Sequence, residues 1–298
     1  MILVTGSSGF VGQSVWAELS RENLEFIGAD QRQPDHSIEH WRACDLTDRA
    51  AVDRLFQAHP IHAVVHLAAM LPSACRSNPS QATSVNVTGS ANLLEAAADF
   101  GVKRFVFGSS LSVYGLAGDG APLCERAPAK PADVYGAGKR YIEIYGETLS
   151  RHRSSSFVAL RIATVVGPGA RHTASPWRSE IFEKLGSGAR QRIAIPFVEE
   201  AVLSLVHVED VARMLVLLAT RAIVPSHLYN TPAENWTAGH LKRVVEGLDA
   251  NVTVELGRAG QPEAPPVADG STFAQEFGWS APSLADRLAE RLHARLTE

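Results

Sequence analysis

Tyr135 and Lys139 stand four residues apart in the run Tyr135-Gly-Ala-Gly-Lys139. That spacing puts both side chains on one face of a helix, the ammonium one turn beyond the phenol. A free phenol titrates near ~10 and is a poor base at neutral pH. A neighbouring ammonium favours the phenolate and brings its pKa toward the working range. Such a pair is suited to take the proton of an alcohol while hydride leaves the same carbon, if a hydride acceptor lies alongside. The bland alternative is a surface pair on an amphipathic helix, so the remainder of the chain has to supply a seat for that acceptor.

A seat is legible near the start of the sequence. Thr5-Gly-Ser-Ser-Gly-Phe-Val-Gly12 follows the apolar run Ile2-Leu3-Val4 and precedes a helical pattern over Val11-Leu19. Between strand and helix, Gly6 permits a tight turn, Gly9 lets the backbone approach a diphosphate, and Gly12 lets the helix sit close against the sheet. The helix amino terminus adds unpaired N–H groups and the positive end of its dipole. Asp30 ends the second apolar strand about 20 residues further on, where a carboxylate holds the ribose hydroxyls and repels a 2′-phosphate. The combination points to a dinucleotide, and to NAD. Arg32, two residues later, reads as a solvated surface arginine.

The elements that must bring these residues together alternate in type. Short β-branched or aromatic runs fall at Ile2-Thr5, Glu25-Ala29, Trp41-Ala43, Ala63-Leu67, Arg104-Gly108 and Phe157-Ile162. Helical patterns fall at Val11-Arg21, Arg49-Ala58, Gln81-Phe100, Val134-Arg151, Trp177-Leu185 and Val208-Thr220. Such alternation predicts an α/β fold, a doubly wound parallel (Rossmann) sheet covered on both faces. After Gly167 the alternation loosens and Pro and Gly become frequent. The expected division is an NAD-binding domain over residues 1–166, rejoined by 203–232, and a smaller carboxyl-terminal substrate-binding domain over 167–298. Ligands of such sheets bind at the carboxyl edge of the strands.

Composition limits the partners. With 298 residues, 45% of them hydrophobic and 20% charged, the chain can bury a large core. A net charge of -4 gives no basic surface for nucleic acid or an anionic membrane. No apolar run approaches the ~18 residues of a membrane span. Cys44, Cys75 and Cys124 are too few for a disulfide framework and lack metal-ligand spacing, so no metal is expected and the setting reads as reducing and cytoplasmic.

The glycine spacing G-x-x-G-x-x-G and the motifs that follow it in order resemble the extended short-chain dehydrogenase/reductase family, the NAD-dependent epimerases and dehydratases. Cys44-Asp45-Leu46 is similar to the turn whose aspartate meets the adenine amine. His66-Leu67-Ala68-Ala69 is similar to the fourth-strand motif beside pyrophosphate and ribose, and Val85-Asn86-Val87-Thr88-Gly89 to the helix whose asparagine lies near the nicotinamide. Phe107-Gly-Ser-Ser-Leu-Ser-Val-Tyr-Gly115 and Tyr135-Gly-Ala-Gly-Lys139 resemble the catalytic segments. Leu160-Arg161, Val166-Gly-Pro-Gly169, His207-Val-Glu-Asp210 and Phe277-Gly-Trp279 complete the series.

The resemblance implies that NAD is held by Gly6, Ser8, Gly9, Phe10, Val11, Gly12, Asp30, Asp45, Leu46, Leu67, Ala68, Ala69 and Asn86, together with Tyr135 and Lys139. It implies that Ser110 completes a catalytic set with Tyr135 and Lys139 by hydrogen bonding the reacting oxygen. Substrate contacts are implied for Ser110, Ser112, Thr164, His172, Trp177 and Arg178, and a homodimer through the helices near Gln81-Phe100 and Val134-Arg151. Outside this set, His66 reads as a satisfied structural histidine, Cys75 and Cys124 as packing residues, and Trp41 and Trp279 as packing aromatics.

Ser112 bears on the reaction. It stands two places before the tyrosine of Val-Tyr-Gly, where dehydratases of the family carry an acid and the 3,5-epimerising reductases a cysteine. A hydroxyl there is what 4-epimerases and simple dehydrogenases use, so reversible oxidation of a secondary alcohol is expected. Nucleotide-sugar epimerases of the family place a diphosphate-clamping arginine a few residues before the His-Val-Asp segment. This chain reads Ala201-Val-Leu-Ser-Leu-Val-His207 there, and Thr164 replaces the asparagine of Leu-Arg-x-x-Asn. Arg171, Arg178 and Arg192 remain as candidates for an anion site. Two enzyme readings stand: an NAD-dependent dehydrogenase of a sugar, sugar acid or similar small polyhydroxylated compound, and a sugar or nucleotide-sugar 4-epimerase that recycles its NAD. A third, a module that binds NAD without turnover, is opposed by the presence of both Tyr135 and Lys139.

Overall fold

The computed structural model describes residues 1–33, 40–115, 121–153, 155–170, 174–259 and 267–297. Elements follow in the order β1 (Ile2–Thr5), α1 (Phe10–Arg21), β2 (Phe26–Asp30), β3 (Trp41–Ala43), α2 (Arg49–Ala58), β4 (Ala63–His66), α3 (Pro72–Ser77) and α4 (Pro79–Thr83). A π-helical turn, Ser84–Gly89, leads into α5 (Ser90–Asp99); β5 (Arg104–Ser110) ends in a 3-10 turn, Leu111–Tyr114, and α6 (Val134–His152) and β6 (Ser156–Ile162) follow. The remainder comprises β7 (Thr164–Val166), α7 (Trp177–Glu183), β8 (Gln191–Phe197), β9 (Val202–His207), α8 (Val208–Thr220), β10 (Leu228–Asn230), β11 (Glu234–Thr237), α9 (Ala238–Leu248), β12 (Val252–Ala259), α10 (Ser271–Phe277) and α11 (Leu284–Thr297).

The chain forms two compact units. The first is Met1–Gly115, Pro128–Ile162 and Val211–Tyr229. Its sheet runs β10-β6-β5-β4-β1-β2-β3. The pairings β2·β3, β1·β2, β1·β4, β4·β5 and β5·β6 are parallel, which makes this the doubly wound α/β fold. Strands β1 and β4 are buried at every position, which is why they read as continuous apolar runs rather than alternating ones. The strand order reverses between β1 and β4, and at such a switch point the strand ends leave an open crevice.

The second unit is Leu116–Ala127, Ala163–Asp210 and Asn230–Glu298. It holds the three-stranded order β11-β9-β7 and the pair β12-β8. A core of Trp177, Ile181, Phe182, Leu185, Leu203, Leu205 and Trp236, with neighbours from α9 and α11, closes around these strands. The boundary falls at Ile162/Ala163 rather than at 166, because Thr164 of β7 pairs with Leu205 of β9. For the same reason β9, within the segment expected to return to the first domain, stays with the second unit, and only Val211–Tyr229 rejoins the sheet unit. The stretch Gln81-Phe100, which reads as one helix, is divided by the π-helical turn that carries Asn86.

Candidate active site

The glycine turn is built as the spacing requires. Gly6 has φ +69, and a Cβ there would meet Ala68 N at 2.5 Å and Leu67 C at 2.6 Å. The turn after β1 thus lies directly against the backbone that leaves β4. A Cβ on Gly12 would come within 2.2 Å of Gly6 O, which leaves α1 no room to carry a side chain at that point. Among the described residues beyond its chain neighbours, the one atom within 4 Å of a Cβ added at Gly9 is Gly6 O, at 3.2 Å, in the same turn. Gly9 also caps α1 without a side-chain hydrogen bond, whereas Asp48 caps α2 and Asp133 caps α6. The amino end of α1 therefore keeps its N–H groups for a ligand. Asp30 stands beside it, its carboxylate accepting from Ser8 N at 3.0 Å and from Arg32 N at 3.1 Å. These features fit a dinucleotide diphosphate and its ribose.

Other residues expected at the cofactor take the following places. Phe10 and Val11 open α1, half-buried. Asp45 is exposed; Thr47, through its backbone N–H and its hydroxyl, holds the carboxyl below the usual range. Leu46 is buried against Gly89, whose added Cβ would lie 3.1 Å from Leu46 Cβ. Leu67, Ala68 and Ala69 are half-buried at the end of β4. Asn86 is buried and its amide is committed to a neighbour, accepting from Met70 N at 2.7 Å and donating to Met70 O at 2.9 Å.

The tyrosine and lysine are not a surface pair. Tyr135 is 8% exposed and Lys139 5% exposed, one turn apart on α6. Lys139 Nζ lies 5.7 Å from the centre of the Tyr135 ring and 4.6 Å from that of Phe107. It donates to Gly108 O at 2.6 Å, two residues before Ser110 on β5. Burial pushes the ammonium down to about 8, against the raising influence of Cys75 and Glu143. Gly136, next to Tyr135, is packed so closely on the 3-10 turn that a Cβ would fall 2.4 Å from Ser112 O. The start of α6 and the turn carrying Ser110 and Ser112 are thereby in direct contact. Ser110 Oγ accepts from Ser112 N at 3.1 Å and donates to Ser112 Oγ at 3.1 Å. The structure thus gathers Ser110, Ser112, Tyr135 and Lys139 at the carboxyl end of β5.

His66 sits behind them, fully partnered. Ser90 Oγ donates to Asn86 O at 2.7 Å, so it accepts from His66 Nε2–H at 2.8 Å, and Thr5 Oγ1 donates to Nδ1 at 2.7 Å. The ring is a neutral tautomer, and burial, with Lys139 adding to it, pushes its pKa down to about 3. In the unfolded chain the same ring protonates near 6.5. Its contribution to stability is therefore complete above pH 6.5 and is lost as pH falls toward 3. Replacing His66 by Gln is expected to reduce the acid-induced loss of stability between about pH 7 and about pH 5 by about 2 kcal/mol. Thermal melts of both proteins across that range test it; parallel curves would contradict it.

The remaining expected substrate residues belong to the second unit. Trp177 is 2% exposed and packs edge-on against Phe197 in that unit's core. Thr164 is buried in β7. Arg178 is half-buried, its carbonyl accepting from Gly167 N at 3.0 Å. His172 and Arg171 lie outside the described residues. Arg192 is paired with Glu255 at 2.9 Å. Among the described residues no group of His, Cys, Asp and Glu is placed to hold a metal, and no helix is long and apolar enough to cross a membrane. Cys44 and Cys75 are buried and Cys124 exposed, all as free thiols.

One part of the site had no assigned role in the sequence. Glu143, one turn past Lys139, is buried and bound by Arg161 of β6, Ser109 of β5 and Arg140. Its place on the Lys139 face of α6 was the available signal.

The sequence profile of the NAD dependent epimerase/dehydratase family matches residues 2–231. A UDP-glucuronate 4-epimerase of Thermodesulfobacterium geofontis is 33% identical over 193 residues, 59% of this chain and 59% of that protein's length. A UDP-glucose 4-epimerase of Streptococcus mutans is 27% identical over 305 residues, 93% of this chain and 91% of the relative. The crystal structure of UDP-glucose 4-epimerase with UDP-glucose from Thermotoga maritima superposes with a TM-score of 0.82 at 26% identity, covering 98% of this chain and 97% of the other.

Proposed function

The chain belongs to the NAD-dependent epimerase/dehydratase family, whose cofactor is NAD, and from that premise we propose that it carries out reversible hydride transfer at a secondary alcohol of a sugar-like substrate. The observation that carries the reading is the buried Tyr135–Lys139 pair, anchored on Gly108 O two residues from Ser110. NAD supplies the hydride acceptor, which no side chain can be. Tyr135, as phenolate, takes the alcohol proton. Lys139 holds charge beside it in a dry environment, where an ammonium acts more strongly than in water. Ser110 turns its proton from Ser112 Oγ to the reacting oxygen, while Ser112 N–H holds Ser110 Oγ in place. Gly6, Gly9 and Gly12 seat the diphosphate and Asp30 the ribose. Arg178 and Thr164 stay candidates for substrate contact.

Two uses of this chemistry are open to the chain. The UDP-glucose and UDP-glucuronate 4-epimerases among its relatives favour epimerisation of a nucleotide sugar, with NAD retained. The run Ala201-Val-Leu-Ser-Leu-Val206, where an arginine clamp for the diphosphate is missing, favours a dehydrogenase of a smaller sugar or sugar acid; its residues Leu203, Ser204 and Leu205 are buried. Purified protein incubated with UDP-glucose, UDP-glucuronate, free sugars and sugar acids separates the two. An epimerase forms the 4-epimer without releasing NADH, and a dehydrogenase accumulates NADH fluorescence. Conversion of none of these classes would count against hydride transfer on sugars.

We further propose a homodimer through α5 and α6 in a reducing, cytoplasmic setting. Tyr141 and Ile144 on α6 are 50% and 49% exposed, and Phe100 at the end of α5 is 42% exposed, a set of large apolar side chains that pairing would cover. Light scattering is expected to give a mass near twice the 32.0 kDa of the chain. Tyr141→Glu should shift it to the monomer, and a monomeric wild type would overturn the proposal.

A further inference from the structure

Three consecutive residues at the end of β5 are each tied down differently. Gly108 O accepts from Lys139 Nζ at 2.6 Å, Ser109 Oγ donates to Glu143 Oε1 at 2.6 Å, and Ser110 carries the hydroxyl assigned to the reacting oxygen. Lys139 and Glu143 are one turn apart on α6, so this helix grips the strand end at two successive residues. Glu143 is held in turn from β6. Arg161 is the register partner of Ser109 and forms a two-pronged bond to Glu143, Nε to Oε1 at 2.9 Å and Nη2 to Oε2 at 2.7 Å. Arg161 Cζ lies 4.7 Å from the centre of the Tyr114 ring, in the 3-10 turn that carries Ser112. Arg140 Nη1 adds a further bond to Glu143 Oε2 at 2.9 Å.

We propose that Glu143, fixed by Arg161, is a positioning residue for the hydride-transfer set: it anchors β5 immediately before Ser110 and supplies the buried negative charge that holds Lys139 in its ammonium form. The inference rests on the functional reading given above and adds a residue to it. Its physical basis is the cost of burial. Glu143 and Arg161 are 4% and 1% exposed, and an ion pair so deep is an expensive way to obtain stability alone. Among the described residues, the titratable and charged groups facing Lys139 are Tyr135 and Glu143 from its own helix, Cys75 from α3 and His66 from β4. Of these, Glu143 is the carboxylate. Burial opposes its charge, but Arg161, Ser109 and Arg140 together hold its carboxyl below the ordinary range, so it is ionised wherever the enzyme works.

The test reads the lysine directly and needs no substrate. In protein labelled with 15N-lysine, the Nζ resonance of Lys139, identified by its loss in Lys139→Met, is followed through a pH titration in wild type and in Glu143→Gln. Wild type is expected to titrate at about 8. Glu143→Gln is expected to titrate about one pH unit lower, the size of effect that one charge in this environment exerts. Should that variant fail to fold, Glu143→Gln combined with Arg161→Met leaves no unpaired guanidinium at that place, and a smaller downward move is expected, because a positive charge is removed along with the negative one. An unmoved Lys139 titration in either folded variant would show that the pair only supports the fold and would overturn the inference. Failure of the underlying functional reading appears elsewhere, as undiminished turnover by Tyr135→Phe.

Discussion

Tyr135→Phe is expected to lower kcat by about a thousandfold while leaving NAD affinity within about twofold of wild type. The substitution removes one oxygen from a side chain that is 8% exposed and packed with Cys75, Ala82 and Met70, so the ring volume is kept and the helix has no reason to move. What is lost is the group that accepts the alcohol proton, and general-base catalysis by a positioned side chain is worth roughly a hundred- to ten-thousandfold. Turnover on whichever substrate the screen identifies, together with quenching of protein fluorescence by NAD, provides both numbers. A module that binds NAD without chemistry would show no difference between the two proteins. Equal turnover in the variant would remove Tyr135 from the mechanism.

The second large effect is expected at the glycine turn, where two substitutions of equal size should behave differently. Gly12→Ala places a Cβ 2.2 Å from Gly6 O and 2.8 Å from Ser7 Cα, both backbone atoms that cannot step aside. The helix must move off the sheet, at a cost of about 3 kcal/mol and a Tm lower by roughly 5–10 °C, and saturable NAD binding should disappear. Among the described residues beyond its chain neighbours, Gly9→Ala meets Gly6 O alone, at 3.2 Å, and should change stability by less than about 1 kcal/mol. Its methyl group would instead occupy the space left for the diphosphate, so NAD affinity should fall at least about tenfold in a protein that still folds. Melts and NAD titrations on the two variants check both statements. A Gly9→Ala protein that binds NAD like wild type would show that the diphosphate is seated elsewhere.

Much of the sheet unit was legible because its signals are local. Continuous apolar strands such as Ile2-Thr5 and Ala63-His66 and the turn Gly6-Gly12 each depend on residues within a few positions of one another. Tyr135 and Lys139 belong to the same class, since helix periodicity alone puts them on one face. What escaped depends on contacts distant in sequence. Glu143 stands four residues past Lys139, and nothing local shows that Arg161, 18 residues away, arrives from β6 to bind it. Trp177 follows Gly-Pro-Gly, where the resemblance implies a substrate contact. Its spacing to Ile181 and Leu185 is the stronger signal, an apolar helix face, and the core of the second unit uses it so. The division at Ile162 was hidden for a similar reason, since β7 and β9 are short apolar strands whose partner choice has no local mark.

The measurement closest to the centre of this account is a crystal structure of the protein with NAD bound. The diphosphate is expected over the turn Gly6-Gly12, the adenosine ribose on Asp30, and the reactive carbon of the nicotinamide facing Tyr135 Oη across a space that admits an alcohol carbon about 3.5 Å from the ring. A dinucleotide bound away from the glycine turn, or a nicotinamide whose reactive face is turned from Tyr135, would contradict it.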